Sequence, residues 1–214
     1  MSISNIIYLL AIFVIAMLIV LVPRKYKYEI RPWADFAAEL GMKFEASDDL
    51  SLKFSRTAWG VYRGRAMKLD TYIKSTTAGK IFHVASAFLG GGGSSGTLYT
   101  RIQRGLKLNN SGLLSLELHK RKRTMPLQEI GTGDREFDRL YTLTGSPPGL
   151  VSPIFSSPIL RDRLRELKGS LKVDVRGLHY EERGYVKDPV RLRMLFNLLA
   201  DVSAEIEKAE AEYQ

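Results

Sequence analysis

"FLGGGGSSGTLYTRIQ", residues 88–103, places four consecutive glycines before Ser94, Ser95 and Gly96. A glycine run of this kind has two readings, and they lead to different folds. It cradles phosphate at the head of a helix, as in a nucleotide-binding α/β protein, or it joins two strands of an antiparallel sheet. A phosphate loop needs a strand before it, a helix after it and a closing Lys-Ser or Lys-Thr, because the helix N-terminus supplies the dipole and the free N–H groups. Here Thr97, Leu98, Tyr99, Thr100, Arg101 and Ile102 follow, alternating as a strand does, and no Lys-Ser or Lys-Thr closes the loop. The dinucleotide spacing G-x-G-x-x-G is met only because glycine fills nearly every position. We read residues 90–96 as a flexible hairpin connection.

The surrounding sequence agrees with a sheet. "WGVYRG" and "RAMKLDTYIK" meet at Arg63-Gly64 as in a tight hairpin. "KIFHVASAFL", "TLYTRIQRGL" and "LLSLELH" follow, with β-branched and aromatic residues at alternate positions. The expectation is an antiparallel meander from Leu52 to about Leu118. Upstream, "WADFAAELGM" after Pro32 predicts a short helix, with Trp33, Phe36, Ala37 and Leu40 on one face and Gly41 as its stop.

The second half is mixed. "FDRLYTLTG" predicts a strand leaving a turn. "PILRDRLRELKG" predicts an amphipathic helix with Ile159, Leu160, Leu164 and Leu167 on one side and Gly169 as its stop. "SLKVDVRGLHYEERG" predicts a hairpin around Arg176-Gly177. From Pro189 a long helix carries Leu192, Leu195, Leu199, Val202 and Ile206 at steps of three and four. That stripe covers barely two heptads, so packing on the sheet is preferred to a coiled-coil seam. The fold class is α+β: a mainly antiparallel sheet with helices packed on one face.

The N-terminus has a different character. Residues 6–22, "IIYLLAIFVIAMLIVLV", carry no charge, and thirteen of the seventeen are Ile, Leu, Phe or Val. As a helix the run spans about 25 Å, near the lower limit for a hydrocarbon core. Its insertion gains at most about 4 to 8 kcal/mol. A cleaved signal peptide needs a basic n-region and a small-residue cleavage site, and neither is present. We read residues 1–23 as an uncleaved single-pass anchor, 24–32 as a basic juxtamembrane linker and 33–214 as a soluble domain. Arg24, Lys25, Lys27 and Arg31 follow the run and no cation precedes it, so the soluble domain is expected on the cytoplasmic side of the plasma (inner) membrane, with the N-terminus outside. Tyr26, Tyr28 and Trp33 alternate with these cations, as aromatics of a headgroup layer do. Trp33 equally well begins the soluble core. The absence of cysteine excludes disulfides and thiolate metal sites.

No reaction can be read from the chain. His83, His119 and His179 stand far apart and fit no metal spacing. No G-x-S-x-G elbow exists, and no nucleophile has an assigned base. "GTGDREFD", residues 131–138, clusters Asp134, Glu136 and Asp138, but the bidentate Glu of a calcium loop is missing. The preferred reading is a turn in which Gly133 takes a positive φ and Asp134 bonds to backbone N–H groups; whether the cluster holds a cation is left open. No cofactor, catalytic residue or metal ligand is assigned.

The densest basic run is "HKRKR", residues 119–123, where Lys120, Arg121, Lys122 and Arg123 form a candidate anion site. The formal charge of the chain is +9. Residues 1–32 hold four cations and one carboxylate and so carry +3, leaving +6 on the rest. Nucleic acid would need aromatic platforms or a recognition element beside the basic run, and none is evident, so it is not an expected partner.

"TGDREFDRLYTLTGSPPGLVSPIFSSPILRDRLREL", residues 132–167, resembles a segment of uncharacterised bacterial membrane-anchored proteins. There a Thr-Gly-Asp, a Phe-Asp, a short strand and a Gly-x-Pro turn precede a P-x-L-R-x-x-L helix. "LGMKFE" and "GVYRGRAMKL" look like that family's helix end and first hairpin. The resemblance implies the α+β fold and no activity. The expected function is a membrane-anchored protein-interaction domain, an accessory subunit of a membrane protein complex. The alternatives are a domain recognising anionic lipid headgroups and a membrane-tethered enzyme.

Overall fold

The computed structural model describes residues 31–46, 55–75, 96–108, 114–121 and 129–213. The apolar run 6–22, the expected strand 80–89 and most of the glycine loop lie outside them. Among the described residues no helix is long and apolar enough to cross a membrane.

Residues 31–39 form helix α1. Arg31 and Pro32, read as linker, therefore already belong to it. Strands β1 (Lys43–Ala46), β2 (Arg56–Tyr62), β3 (Arg65–Ser75) and β4 (Gly96–Arg104) follow, then β5 (Ser115–Lys120), helix α2 (Arg135–Leu140) and β6 (Tyr141–Ser146). Helices α3 (Pro148–Ile154) and α4 (Pro158–Leu164), strands β7 (Ser170–Asp174) and β8 (Gly177–Arg183) and helix α5 (Pro189–Tyr213) complete the chain.

The strands make one eight-stranded sheet in the order β1-β2-β3-β4-β8-β7-β5-β6, antiparallel at every pairing. The β2–β3 hairpin turns at Arg63 and Gly64, both at positive φ (47° and 73°), the geometry that matches the twist of flanking strands. Gly96 opens a strand, not a helix, so the glycine run lacks the helix N-terminus that a phosphate loop requires.

Of the expected meander the β2–β3 hairpin holds, and β1 precedes its expected start at Leu52; β4 pairs directly with β3, Ser75 opposite Gly96, in the place the meander gives to the strand 80–89. β4 pairs with β8, and β5 lies between β7 and β6. The physical reason is the core row. Leu143, Leu118, Leu171, Tyr180, Ile102, Leu69, Ala58 and Phe44 stand opposite one another across the whole sheet. All but Phe44 are buried. Inserting the β7–β8 hairpin beside β4 places its alternating apolar residues, Leu171, Val173, Leu178 and Tyr180, on this one face.

Helix α5 lies against that face. Leu192, Leu195, Leu199, Val202 and Ile206 are all buried, as the spacing predicts, and Phe196 joins them. Phe196 meets Phe36 of α1 edge-on at 5.1 Å and Tyr62 of β2 at 5.5 Å. Asp188 caps the helix by accepting from the Val190 N–H at 2.9 Å.

Five local expectations are corrected. Residues 137–140 are helical, because Asp134 accepts from the Glu136 and Phe137 N–H groups and so caps α2. The Gly-Ser-Pro-Pro stretch leads into a further helix, α3, with Pro148 at its start, where the missing N–H costs nothing. Ile159 is exposed, since α4 is only two turns long and buries Leu160 and Leu164. Gly169 is not the helix stop: α4 ends at Leu164, and Gly169 instead lies against β8, where a Cβ would come within 1.9 Å of the Glu181 carbonyl oxygen. The β7–β8 turn is formed by Val175 and Arg176, with Gly177 already paired to Asp174 at φ +121°.

Candidate binding face of the sheet

With the core row and the helices on one side, the alternate residues of every strand point to the other. Among the described residues no helix covers that side. Two rows cross it. One reads His119, Ser170, Glu181, Arg101, Asp70 and Thr57 from β5 to β2; the next reads Glu117, Lys172, His179, Gln103, Lys68 and Trp59. Opposite charges face each other in both rows, as in favourable cross-strand pairs. A cavity of about 310 Å³ opens over β4, β8, β7 and β5, lined by Arg101, Gln103, Glu117, Lys172, His179 and Glu181 among others.

Three linked clusters hold the floor of this face. Asp70 is 5% exposed and takes both forks of Arg101, at 2.9 and 2.7 Å, with Lys68 at 3.3 Å. The Arg101 guanidinium lies 4.9 Å from the Tyr72 ring centroid, and Tyr72 stacks on Tyr99 at 5.7 Å. Burial, then the hydrogen bond to Glu181, raises the Tyr72 phenol well above its usual range, so it stays protonated and donates. The hydrogen bond to Asp70 holds Arg101 more firmly charged.

The third cluster surrounds His179. Its Nδ1 is 3.2 Å from Gln103 Nε2 and its Nε2 is 3.1 Å from Asp174 Oδ1. Burial works against ionisation of Asp174, but the Arg176 N–H and His179 outweigh it and hold the carboxyl below its usual range. Both imidazole nitrogens are thus engaged, leaving neither to take a proton from a hydroxyl. The arrangement orients polar groups for binding and assembles no nucleophile with a base.

The residues singled out from sequence distribute differently. Arg24, Lys25, Tyr26, Lys27 and Tyr28 lie outside the described residues. Arg31 is exposed on α1 beside Asp35. Trp33 is corrected: it is 0% exposed, its Nε1 donates to the Val186 carbonyl at 2.7 Å, and its ring packs on Tyr185 at 5.0 Å. An indole whose N–H and ring faces are all spent inside the fold has no wet edge for a headgroup layer. Lys120 is exposed at the end of β5. Arg121 is paired with Glu129 and donates to the Asp138 carbonyl, so it is partly neutralised. Lys122 and Arg123 lie outside the described residues.

Asp134, Glu136 and Asp138 are accounted for without a cation. Gly133 has φ +81° and Asp134 caps α2 while pairing with Arg161 and Arg165, both at 3.1 Å. Asp138 accepts from the Thr132 N–H and hydroxyl. Among the described residues no three His, Cys, Asp or Glu side chains are grouped to hold a metal ion.

The open face itself was not singled out from sequence. Its signal was present, since Lys68, Asp70, Tyr72 and Lys74 alternate on β3 and Tyr99, Arg101 and Gln103 on β4. What was missing was the β4–β8 pairing that brings His179 and Glu181 beside them.

These features define an α+β domain with one charge-patterned sheet face that no described helix covers. No family model matches the chain, and no curated protein matches it. Among solved structures, the crystal structure of the mycobacterial trehalose monomycolate transport factor A, TtfA, is similar over 82% of this chain and 93% of that chain, at 8% identity and a TM-score of 0.48. A likeness that distant carries no argument about function.

Proposed function

We propose that the chain is a single-pass membrane-anchored binding module, an accessory subunit of a membrane protein complex, which engages its protein partner through the open sheet face. The observation that carries this reading is the pairing of an apolar core on one side of the sheet with a side that no described helix covers and on which opposite charges face each other along the rows. Such a pattern suits a polar partner surface and discriminates between partners by charge register. Docking through apolar surface has less support. Among the described residues the exposed large hydrophobics are scattered: Val61 on β2, Leu140 on α2, Ile159 on α4, Val175 in the β7–β8 turn, and Val190 and Tyr213 at opposite ends of α5. The anchor supplies attachment to the bilayer, and its apolar run and basic flank are the support for a cytoplasmic domain.

The test is photo-crosslinking in cells expressing the full chain. A benzophenone side chain at Gln103 or Lys172 should yield a discrete protein adduct, whereas one at Lys208, exposed on α5, should not. Lys172 has no ion-pair partner among the described residues, so Lys172→Glu should abolish the adduct from position 103 without altering the fold. Adducts from position 208 alone, or adducts indifferent to Lys172→Glu, would refute docking on this face.

A further inference from the structure

We infer that the end of the sheet carrying Lys74, Lys120 and Arg183 faces the bilayer and contacts anionic lipid headgroups. This rests on the membrane-anchor reading and specifies how the domain stands on it.

The first argument is reach. Residues 23–30 separate the apolar run from α1, and eight extended residues span at most about 28 Å. Arg31 must therefore lie within that distance of the hydrocarbon edge. Two residues on, Trp33 is bonded to Val186, and Val186 donates its N–H to the Thr100 hydroxyl at 3.0 Å. Gly184 N–H meets the Leu98 carbonyl at 2.8 Å. The start of α1 is thus fixed beside the C-terminal end of β8 and the N-terminal end of β4.

The strand register then collects cations at this same end. Arg183 closes β8 opposite Tyr99, and Lys74 stands opposite Thr97 near the close of β3. β5 runs the same way: Leu118 pairs with Leu171, Leu171 with Tyr180, and Lys120 lies two residues beyond Leu118. Lys120, which opens the basic run read from sequence, and the start of α1, remote in sequence, therefore share one end of the sheet.

The third argument is that the cations of the near end are available to an anionic surface. At the far end of the sheet Arg63, Arg65 and Arg176 are each ion-paired, to Asp201, Glu207 and Asp174. At the near end Lys74, Lys120 and Arg183 are exposed and have no carboxylate partner among the described residues. Of the acids nearby, Asp35 pairs with Arg31, Glu129 pairs with Arg121 and Asp188 caps α5, while Glu45 on β1 is exposed. Lys107, just past the far end of β4, is exposed and has no ion pair among the described residues either, but three such cations gather where the chain would meet an anionic leaflet, an arrangement that surface potential stabilises.

The chain has no cysteine, so single labels are unambiguous. Spin labels at Thr97→Cys and at Val175→Cys mark the two ends, about 30 Å apart along the strands. The full chain is reconstituted in phosphatidylcholine vesicles, with and without phosphatidylglycerol, each containing a nickel-chelating lipid as relaxant. The expected result is faster relaxation at position 97 than at 175, with the ratio rising at least about fivefold when phosphatidylglycerol is present, the factor one such cation contributes near an anionic surface. Combining Lys74→Gln, Lys120→Gln and Arg183→Gln should remove that rise while circular dichroism is unchanged. Faster relaxation at 175, or a ratio indifferent to phosphatidylglycerol, overturns the inference. If alkaline carbonate extracts the chain from the vesicles, the anchor reading itself has failed; if the chain stays embedded and the ratio inverts, only the orientation has.

Discussion

Arg101 grips Asp70 through two parallel hydrogen bonds, at 2.9 and 2.7 Å, on the side of the sheet that no described helix covers. A carboxylate 5% exposed is held there by its partners, since desolvation alone would expel it. Asp70→Asn keeps the shape and removes the charge, leaving Arg101 and Lys68 adjacent and uncompensated. Because Arg101 keeps 29% of its side chain in water, the expected loss is about 1 to 2 kcal/mol, short of a fully buried pair. A urea titration reads it, and a midpoint unchanged from the parent would show that the pair is ornamental to the fold.

Trp33 is the anchor of α1 and the sharpest contrast between the two roles read for it. Trp33→Ala should cost about 3 to 5 kcal/mol, as for a large aromatic removed from a closed core. Trp33→Phe should cost less, about 1 to 2 kcal/mol, largely for the Val186 carbonyl left without its donor. Equilibrium unfolding of the two variants checks the order. If both unfold like the parent but detach from lipid more readily, the residue serves the interface after all.

Much of the helical layer was legible because its chemistry is local. The stripe Leu192, Leu195, Leu199, Val202 and Ile206 states both the helix and its buried face, and all five are buried. Gly133 and Asp134 announced a turn by residue type, and both play the expected parts, although the helix that Asp134 caps was taken for a strand. The order of strands was not legible. Alternation tells which side of a strand is apolar but not which strand lies beside it, so the β4–β8 pairing, and with it the His179–Gln103 contact, had no local signature. Trp33 was ambiguous for a related reason: an indole suits a core and a headgroup layer equally until the partner of its N–H is known.

Acid should loosen the α2–α4 corner. The Phe137 N–H above all holds the Asp134 carboxyl below its ordinary 3.8; burial opposes it, and Arg161 and Arg165 add to the lowering. A depressed carboxyl stabilises the folded state above its unfolded pKa and loses that contribution as pH falls through the folded value. Asp174 and Glu207 are depressed likewise, Glu207 chiefly by the Arg65 hydrogen bond. Stability should therefore be level above about pH 5 and decline below pH 4. Asp134→Asn, which can still cap α2, should flatten part of that decline; an acid limb identical to the parent would remove Asp134 from the account.

The last prediction concerns two glycines with opposite reasons for being glycine. Gly64 needs its positive φ of 73° but has open space where a Cβ would stand. Gly64→Ala should therefore cost only the strain of the left-handed region, about 1 kcal/mol. Gly169 has no positive φ to protect; its constraint is the β8 backbone, which a Cβ would meet at 1.9 Å from the Glu181 oxygen and 2.7 Å from its carbonyl carbon. Backbone cannot rotate aside as a flexible side chain can, so Gly169→Ala must push β7 from β8 next to the Ser170–Glu181 pairing. The expected cost exceeds about 3 kcal/mol, in the range of severe overpacking. Because β8 also carries Glu181 and His179 onto the open face, the variant should disturb the Tyr72–Glu181 hydrogen bond as well. Paired urea titrations check the order of the two glycines, and ultraviolet titration of the tyrosines checks the second effect. A Gly169→Ala chain as stable as Gly64→Ala would mean that the strand contact is looser than 1.9 Å implies, and the explanation for this glycine would fall.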